Sequence, residues 1–336
     1  MGRIEYLEWL RAIAIVAVVV IHITAPFAKE LTPPNVLIIP NVISRAAVPL
    51  FFMISGVLFL NPQKDISIKA VWCKYIARMI KAFIIFSILY AFVDVSMVEG
   101  STVTRIKIFL VKSINGHYHL WYLYAIMGVY AIVPIIRKIA SSVIELRYTL
   151  LISFIFISLV PFVQTVLHDN EVIKNLIGDI SIYTPTWILY LLLGYCLHND
   201  IVKLPSNKIL IGILFLSCAI MIGGEWMHIG RNTVSDKMVI SSYTSPFTVI
   251  YAVSIFGLAK RLKISCGKIL LPLASSSFGI YLIHDLFIII CNNLISHYSL
   301  EIEPLLRVVI MTTTVLFASF ISVKLLKKTS FFNNII

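Results

Sequence analysis

The chain has 336 residues, of which 59% are hydrophobic and 13% are charged, and its mean hydropathy is +0.94. A soluble globular protein is about half apolar and about a quarter charged, so this composition excludes a soluble domain. The formal net charge of +12 is compatible with nucleic-acid binding, but the basic residues gather in alternate connections, as membrane topology requires. We therefore expect a lipid bilayer, and no nucleic acid, as a partner.

Apolar runs of about twenty residues, the length at which a helix crosses a bilayer, recur along the chain. We predict an all-α polytopic membrane protein: a single bundle of about ten transmembrane helices, with one integral-membrane domain over residues 1–336. Most of the 28 Lys and Arg residues fall on one side, so both termini are predicted to be cytoplasmic. The predicted spans are 10–28, 37–60, 76–97, 119–137, 148–167, 183–198, 208–224, 243–260, 275–295 and 304–325.

Two polar residues interrupt the first span. Arg11 and His22 are almost three helical turns apart, so they project from one face, with His22 about 16 Å deeper. Burying polar groups in lipid is costly, which favours a stripe that faces a polar cavity. Neutral His is a natural general base near pH 7. A snorkelling Arg and a His bonded to a neighbouring helix explain the pair about as well.

The next two spans carry basic residues. Arg45 is a formal charge inside the second span, which favours an inward role as a functional or ion-paired group. Lys74, Arg78 and Lys81 open the third span at spacings that place them on one helical face. These three residues are either ordinary positive-inside anchors or a clamp for phosphate at a cytoplasmic mouth.

Polar residues also mark the fourth and ninth spans. His119 is positioned to touch a polar acceptor at an outer mouth, beside aromatic residues that an interfacial belt explains without any function. Tyr281, His284 and Asp285 lie together in the ninth span, where they are unlike lipid-facing residues, although a hydrogen bond between helices is an alternative. The five Cys residues are far apart and no zinc-type spacing occurs, so we expect no metal.

Four blocks of the sequence recur in the order and spacing of a known family, from about residue 5 to about residue 325. They are LRAIAIVAVVVIH, SRAAVPLFFMISGVLF, HLWYLYAIMGVYAIVPII and SFGIYLIHDL. With these blocks the chain resembles the membrane-bound acyltransferase-3 family. Within that family it looks most like surface-glycan O-acetyltransferases of the enterobacterial common antigen type. The resemblance implies transfer of an acetyl group from acetyl-CoA to a sugar hydroxyl in the bacterial inner membrane.

With that chemistry implied, each polar residue receives a hypothetical role. His22, with Arg11 on its stripe, would act on the acceptor hydroxyl as general base. A thioester is already activated, so the reaction needs no metal. The CoA phosphates would bind Lys74, Arg78 and Lys81, with Arg11 as a further candidate. The acceptor or the oxyanion would meet Arg45, His119, Tyr281 and His284.

Two other interpretations remain open at this stage. Buried polar residues and Pro-broken helices also describe a transporter or exporter of a small anionic or acylated solute, although the sequence shows no inverted repeat. A non-catalytic scaffold of a glycan assembly complex would leave Arg11, His22, Arg45 and His284 unexplained. The acceptor, a surface polysaccharide or its lipid-linked precursor, is not specified by the sequence.

Overall fold

The computed structural model describes residues 3–26, 35–62, 64, 66–166, 187–229 and 240–336, and these residues form helices and no strand. Helices occur at all ten predicted spans. In chain order they are α1 Glu5–Thr24, α2 Ile38–Ser44, α3 Ala47–Phe59, α4 Ile68–Ser96, α5 Thr102–Asn115, α6 Trp121–Ala140, α7 Val143–Phe154 with its continuation to Val166, α8 Trp187–His198, α9 Asn207–Ile229, α10 Pro246–Arg261, α11 Gly267–His297, α12 Pro304–Leu326 and α13 Ser330–Asn333.

Eight helical stretches of the described chain are long and apolar enough to cross a membrane. This finding confirms the all-α polytopic membrane fold. Helices α8 and α10, with 12 and 16 residues, occupy two further predicted spans but are shorter than a full crossing. The first residues of the sixth predicted span, 183–186, lie outside the described residues, as do 27–28 and 167.

The second span is divided into two helices at the position of its charged residue, Arg45, which is partly buried. Helix α2 ends at Ser44 and α3 begins at Ala47, so Arg45 lies in the break between them. Pro49 follows in the first turn of α3, where a missing backbone N–H leaves no helical hydrogen bond unmade. The break places the Arg45 guanidinium where two helix ends meet.

Helix α5 was not predicted from the sequence, because its basic residues resemble a loop. The Ser101 hydroxyl accepts a hydrogen bond from the Thr104 N–H and caps the start of the helix. Gly116 ends it with φ +74°, a conformation that favours glycine. None of the residues of α5 is buried, so this helix lies on the outside of the bundle against α4.

Hydrogen bonds join alternate connections at one end of the bundle, the end predicted to be cytoplasmic. Arg137 at the end of α6 reaches the loop after α3, and Arg261 at the end of α10 reaches the loop after α8. Glu5 at the start of α1 accepts from the backbone N–H of Cys266, before α11. The acceptors of the two arginines are the carbonyl oxygens of Phe59, Asn61, Lys64, Leu204 and Pro205.

Helices α3 and α8 cross at backbone contact. A Cβ atom on Gly56 would overlap the carbonyl oxygen of Leu191, and one on Gly194 would overlap that of Met53. Small residues at such a crossing allow membrane helices to approach closely. The crossing fixes α3, which supplies one wall of the cavity described below.

Candidate active site

A cavity of about 350 Å³ opens between α1, α3, α6 and α11, at the lower end of the size range of small-ligand pockets. Aromatic rings make up much of its wall, together with a few polar groups. It is lined by Val18, Ile21, His22, Ala25, Arg45, Val48, Phe51, Tyr118, His119, Trp121, Tyr122, Tyr243, Ser277, Phe278 and Tyr281.

His22 reaches this cavity from the last turn of α1 and is partly buried there. Its ring centroid lies 5.0 Å from that of His284, 5.5 Å from that of Tyr118 and 6.2 Å from that of His119. The imidazole therefore faces other polar rings across a cavity and not lipid. Its catalytic role is a prediction that this placement permits.

A cluster of buried histidines and one carboxylate lies behind His22. The Asp285 carboxylate accepts a hydrogen bond of 2.6 Å from the Tyr118 hydroxyl and lies 3.3 Å from Nδ1 of His117. Nδ1 of His117 is 3.0 Å from Nδ1 of His119. One ring nitrogen of His22, one ring nitrogen of His284 and one carboxylate oxygen of Asp285 lie within 4.8 Å of one another. Asp285 is therefore shared by two groups of histidines, one formed by His117 and His119 and the other by His22 and His284.

The local sequence explains how these rings meet. Gly116 reverses the chain after α5, and residues Tyr118–Leu120 form a short 3-10 turn before α6, which points His119 into the bundle. The Tyr281 hydroxyl donates a hydrogen bond of 2.7 Å to the His119 carbonyl oxygen. The Tyr90 hydroxyl donates to the Leu282 carbonyl oxygen at 3.1 Å. The first bond holds the turn against α11, and the second holds α4 against α11.

The two candidate oxyanion donors differ in what they already bind. The Tyr281 hydroxyl is used on a backbone carbonyl and holds His119 in place. Arg45 lines the cavity with its Cζ 5.7 Å from the centroid of the Tyr243 ring, and its Nε has no hydrogen-bond partner among the described residues. Arg45 is the better placed of the two to meet a new negative charge.

Arg11 lies outside the cavity wall. Its guanidinium binds the Glu8 carboxylate at 2.7 Å, one helical turn away. It shares a face of α1 with His22, about 16 Å away along the helix axis. A direct role for Arg11 in proton transfer stays a prediction, and its ion pair with Glu8 is the contact that the structure gives it.

The three cations of the third span have different neighbours. Lys74 lies in a π-helical turn with its Nζ 5.6 Å from the Tyr75 ring centroid, and Lys81 is exposed. Arg78 donates from Nε to the Ile335 carbonyl oxygen at 2.9 Å, and its Cζ lies 5.4 Å from the centroid of the Phe278 ring. Among these cations, Arg78 is the one that packs against a residue of the cavity.

A further cation near Arg78 was missed in the sequence. Burial, with Arg78 and Lys324 as neighbouring cations, lowers the pKa of Lys327 from its usual value. Its Nζ donates to the Ser275 carbonyl oxygen at 3.1 Å. Lys327 follows the last long helix, where a basic residue is usual at the inner face of a membrane protein, so nothing in the sequence distinguishes it from an ordinary topology signal.

His117, Tyr118 and Asp285 were likewise not assigned roles from the sequence. The spacing of His117 and His119 was visible, but their proximity to Asp285 depends on how α11 packs against the turn before α6. His284, which was assigned a role, is fully buried, and its Nδ1–H donates a hydrogen bond of 2.7 Å to the Tyr281 carbonyl oxygen.

The helical bundle and its enclosed histidine-lined cavity define a polytopic membrane protein with a candidate active site between its helices. Its family follows from comparison: the acyltransferase-domain model of the acyltransferase-3 family matches residues 4–324, and the chain belongs to this family. It is therefore a membrane acyltransferase. No curated protein and no solved structure shows significant similarity to the chain.

Proposed function

We propose that this membrane acyltransferase is an O-acetyltransferase of the bacterial inner membrane. It moves an acetyl group from acetyl-CoA to a sugar hydroxyl of a surface polysaccharide or its lipid-linked precursor. Both termini lie in the cytoplasm, as the distribution of basic residues favours.

The observation that carries this proposal is the position of Phe278. Its ring lines the cavity that contains His22, and the Arg78 guanidinium lies over the same ring. CoA is large, anionic and water-soluble, so its phosphates stay at the cytoplasmic end of the bundle. Arg78, with Lys327 beside it, binds these phosphates by charge-assisted hydrogen bonds. The pantetheine arm then passes Phe278 and brings the thioester into the cavity.

The reaction follows from the groups around that thioester. His22 takes the proton of the acceptor hydroxyl as the oxygen attacks the acetyl carbon. The carbonyl oxygen becomes negative in the tetrahedral intermediate and is stabilised by Arg45. The carbon–sulfur bond then breaks, and the CoA thiolate takes the proton from the His22 imidazolium. The products are CoA with a free thiol and an acetyl ester, and His22 is neutral again, as it was at the start.

Aromatic residues on the cavity wall support a sugar as the acceptor. Trp121, Tyr122 and Tyr243 present ring faces, and the apolar C–H faces of a hexose pack well on such rings. His119 lies at the same wall, with its side chain fully buried. Contact between His119 and the acceptor, as proposed from the sequence, requires the cavity to open slightly at this wall when the acceptor binds.

Mass spectrometry of surface glycans from the native host, with and without the gene, tests the proposed function. We expect the strain that carries the gene to show glycans heavier by one acetyl group. Re-expression of His297→Asn should restore this mass shift, because His297 is exposed at the far end of α11, whereas His22→Asn should not. Glycans of identical mass in all strains would refute the assignment of a glycan acceptor.

A transporter is the competing function, and reconstitution into liposomes distinguishes the two. If the chain is an acyltransferase, purified protein in liposomes should release CoA from acetyl-CoA when membrane extract containing the acceptor is added. Exchange of a labelled solute across the liposome membrane in the absence of CoA, without CoA release in its presence, would favour transport.

A further inference from the structure

Two histidine nitrogens and one carboxylate oxygen, from His117, His119 and Asp285, are arranged as metal ligands. Nδ1 of His117, Nδ1 of His119 and Oδ2 of Asp285 are separated by 3.0, 3.3 and 3.9 Å. A triangle with these edges has a circumscribed circle of radius about 2.0 Å, so a point about 2.1 Å from all three atoms lies about 0.6 Å out of their plane. Zinc bound by imidazole nitrogen and carboxylate oxygen has bonds of this length, and a tetrahedral zinc lies out of its ligand plane by a similar amount.

The surroundings of the three atoms suit a cation. Asp285 is 1% exposed and His119 is fully buried, and Oδ2 of Asp285 has no hydrogen-bond partner among the described residues. A buried carboxylate in a bilayer is costly unless a positive partner neutralises it. Lys112 is paired with Asp94 at 3.4 Å.

The residues around the ligands also hold them in the required orientation. Tyr118 donates to Oδ1 of Asp285 at 2.6 Å, which leaves Oδ2 for the ion. Nε2 of His117 faces Oδ1 of Asp94 at 3.7 Å. Zinc sites usually have a carboxylate or carbonyl at the far nitrogen of a ligating histidine, and Asp94 lies on that side of His117, beyond hydrogen-bond distance.

We propose that His117, His119 and Asp285 bind one zinc-class divalent transition-metal ion beside the acetyl-transfer cavity. Two imidazoles and one carboxylate suit zinc better than magnesium or calcium, which prefer all-oxygen ligands. The ion neutralises Asp285 and fixes the turn that carries His119. The ion takes no part in the proposed acetyl transfer, because the thioester is already an activated acyl donor. The proposal replaces the expectation of no metal, which rested on spacing within the sequence.

The rival account is a metal-free cluster held by hydrogen bonds. The 3.0 Å separation of the two Nδ1 atoms also fits an N–H···N bond between His117 and His119. In that case the Asp285 carboxylate has two neighbours, the Tyr118 hydroxyl that donates a hydrogen bond to it and the His117 imidazole at 3.3 Å. The two accounts differ in one measurable quantity, the metal content of the protein.

Metal analysis of the purified full chain decides between them. The protein, carrying an affinity tag without histidines, is equilibrated with zinc sulfate, desalted and measured by plasma mass spectrometry. We expect about one zinc per chain in the wild type, and at least tenfold less in Asp285→Asn and His119→Asn. His22→Asn and His297→Asn should keep the wild-type zinc content, because neither residue is a proposed ligand.

Less than about a tenth of an equivalent in the wild type would overturn the proposal, and so would equal zinc in all variants. Loss of zinc in His22→Asn would overturn this ligand set, since His22 belongs to the other group around Asp285. If the ligand variants do not fold, X-ray absorption of the wild type decides. Imidazole nitrogens and an oxygen at about 2.0 Å are expected, and a sulfur shell, an all-oxygen shell or no bound zinc would contradict the site.

Discussion

Replacing Arg45 and Tyr281 separately tells a catalytic donor from a positioning group. Removal of one oxyanion donor costs about 10²–10³ in kcat, or about 2.7–4 kcal/mol. Arg45 lines the cavity with an unpartnered Nε among the described residues, so Arg45→Gln should lose activity in this range while its free energy of unfolding changes little. The Tyr281 hydroxyl is occupied by the His119 carbonyl oxygen at 2.7 Å. Tyr281→Phe leaves that buried carbonyl unpaired and should lower the free energy of unfolding by about 1–3 kcal/mol.

The assay is CoA release from acetyl-CoA by purified protein supplied with membrane extract that contains the acceptor, paired with a thermal unfolding curve for each variant. Tyr281→Phe should retain kcat within about tenfold of wild type at a temperature where it is folded. A well-folded Tyr281→Phe that loses more than a hundredfold would refute the assignment, because the hydroxyl would then act on the reacting atoms. Arg45→Gln with wild-type kcat would refute it from the other side.

Three further predictions concern the donor site, the helix packing and the topology. Arg78→Ala should raise the KM for acetyl-CoA about tenfold, since a charge-assisted bond at a partly exposed site contributes about 1.4 kcal/mol, whereas Lys208→Ala, at an exposed position with no assigned role, should stay within about twofold. Gly56→Ala should lower the free energy of unfolding by about 1–3 kcal/mol because its methyl group meets the backbone of α8, while Gly212→Ala, which faces open space, should not, as urea or detergent titration will show. Cys73 is exposed, so a membrane-impermeant maleimide should label it in inverted vesicles and not in right-side-out vesicles; the opposite pattern would reverse the topology.

The helical bundle could be predicted from the sequence because length and hydropathy decide whether a helix crosses a membrane. The helix break at Arg45 was only partly predictable. Pro49 is a residue that interrupts helices, but in the structure it lies in the first turn of α3, after the break. Helix α5 was missed because its basic residues outweighed its cap at Ser101 and its stop at Gly116.

The site was predictable only as far as single helices carry it. His22 could be singled out because one polar residue in an apolar helix needs a reason. The arrangement around Asp285 could not, because its partners His117 and Tyr118 approach it through packing between segments far apart in the chain. The partner of the Tyr281 hydroxyl could not be predicted from the sequence either, because the hydroxyl could donate equally well to a backbone carbonyl or to a substrate.

The most direct test of the central claim is single-turnover acetyl transfer by His22→Asn. Purified wild type, His22→Asn and the control His297→Asn receive labelled acetyl-CoA and a membrane extract from a strain lacking the gene. Loss of a general base lowers the rate by about 10²–10⁴, so we expect label in the glycan fraction from wild type and His297→Asn, and at least a hundredfold slower transfer by His22→Asn. Transfer by folded His22→Asn at the wild-type rate would contradict the account.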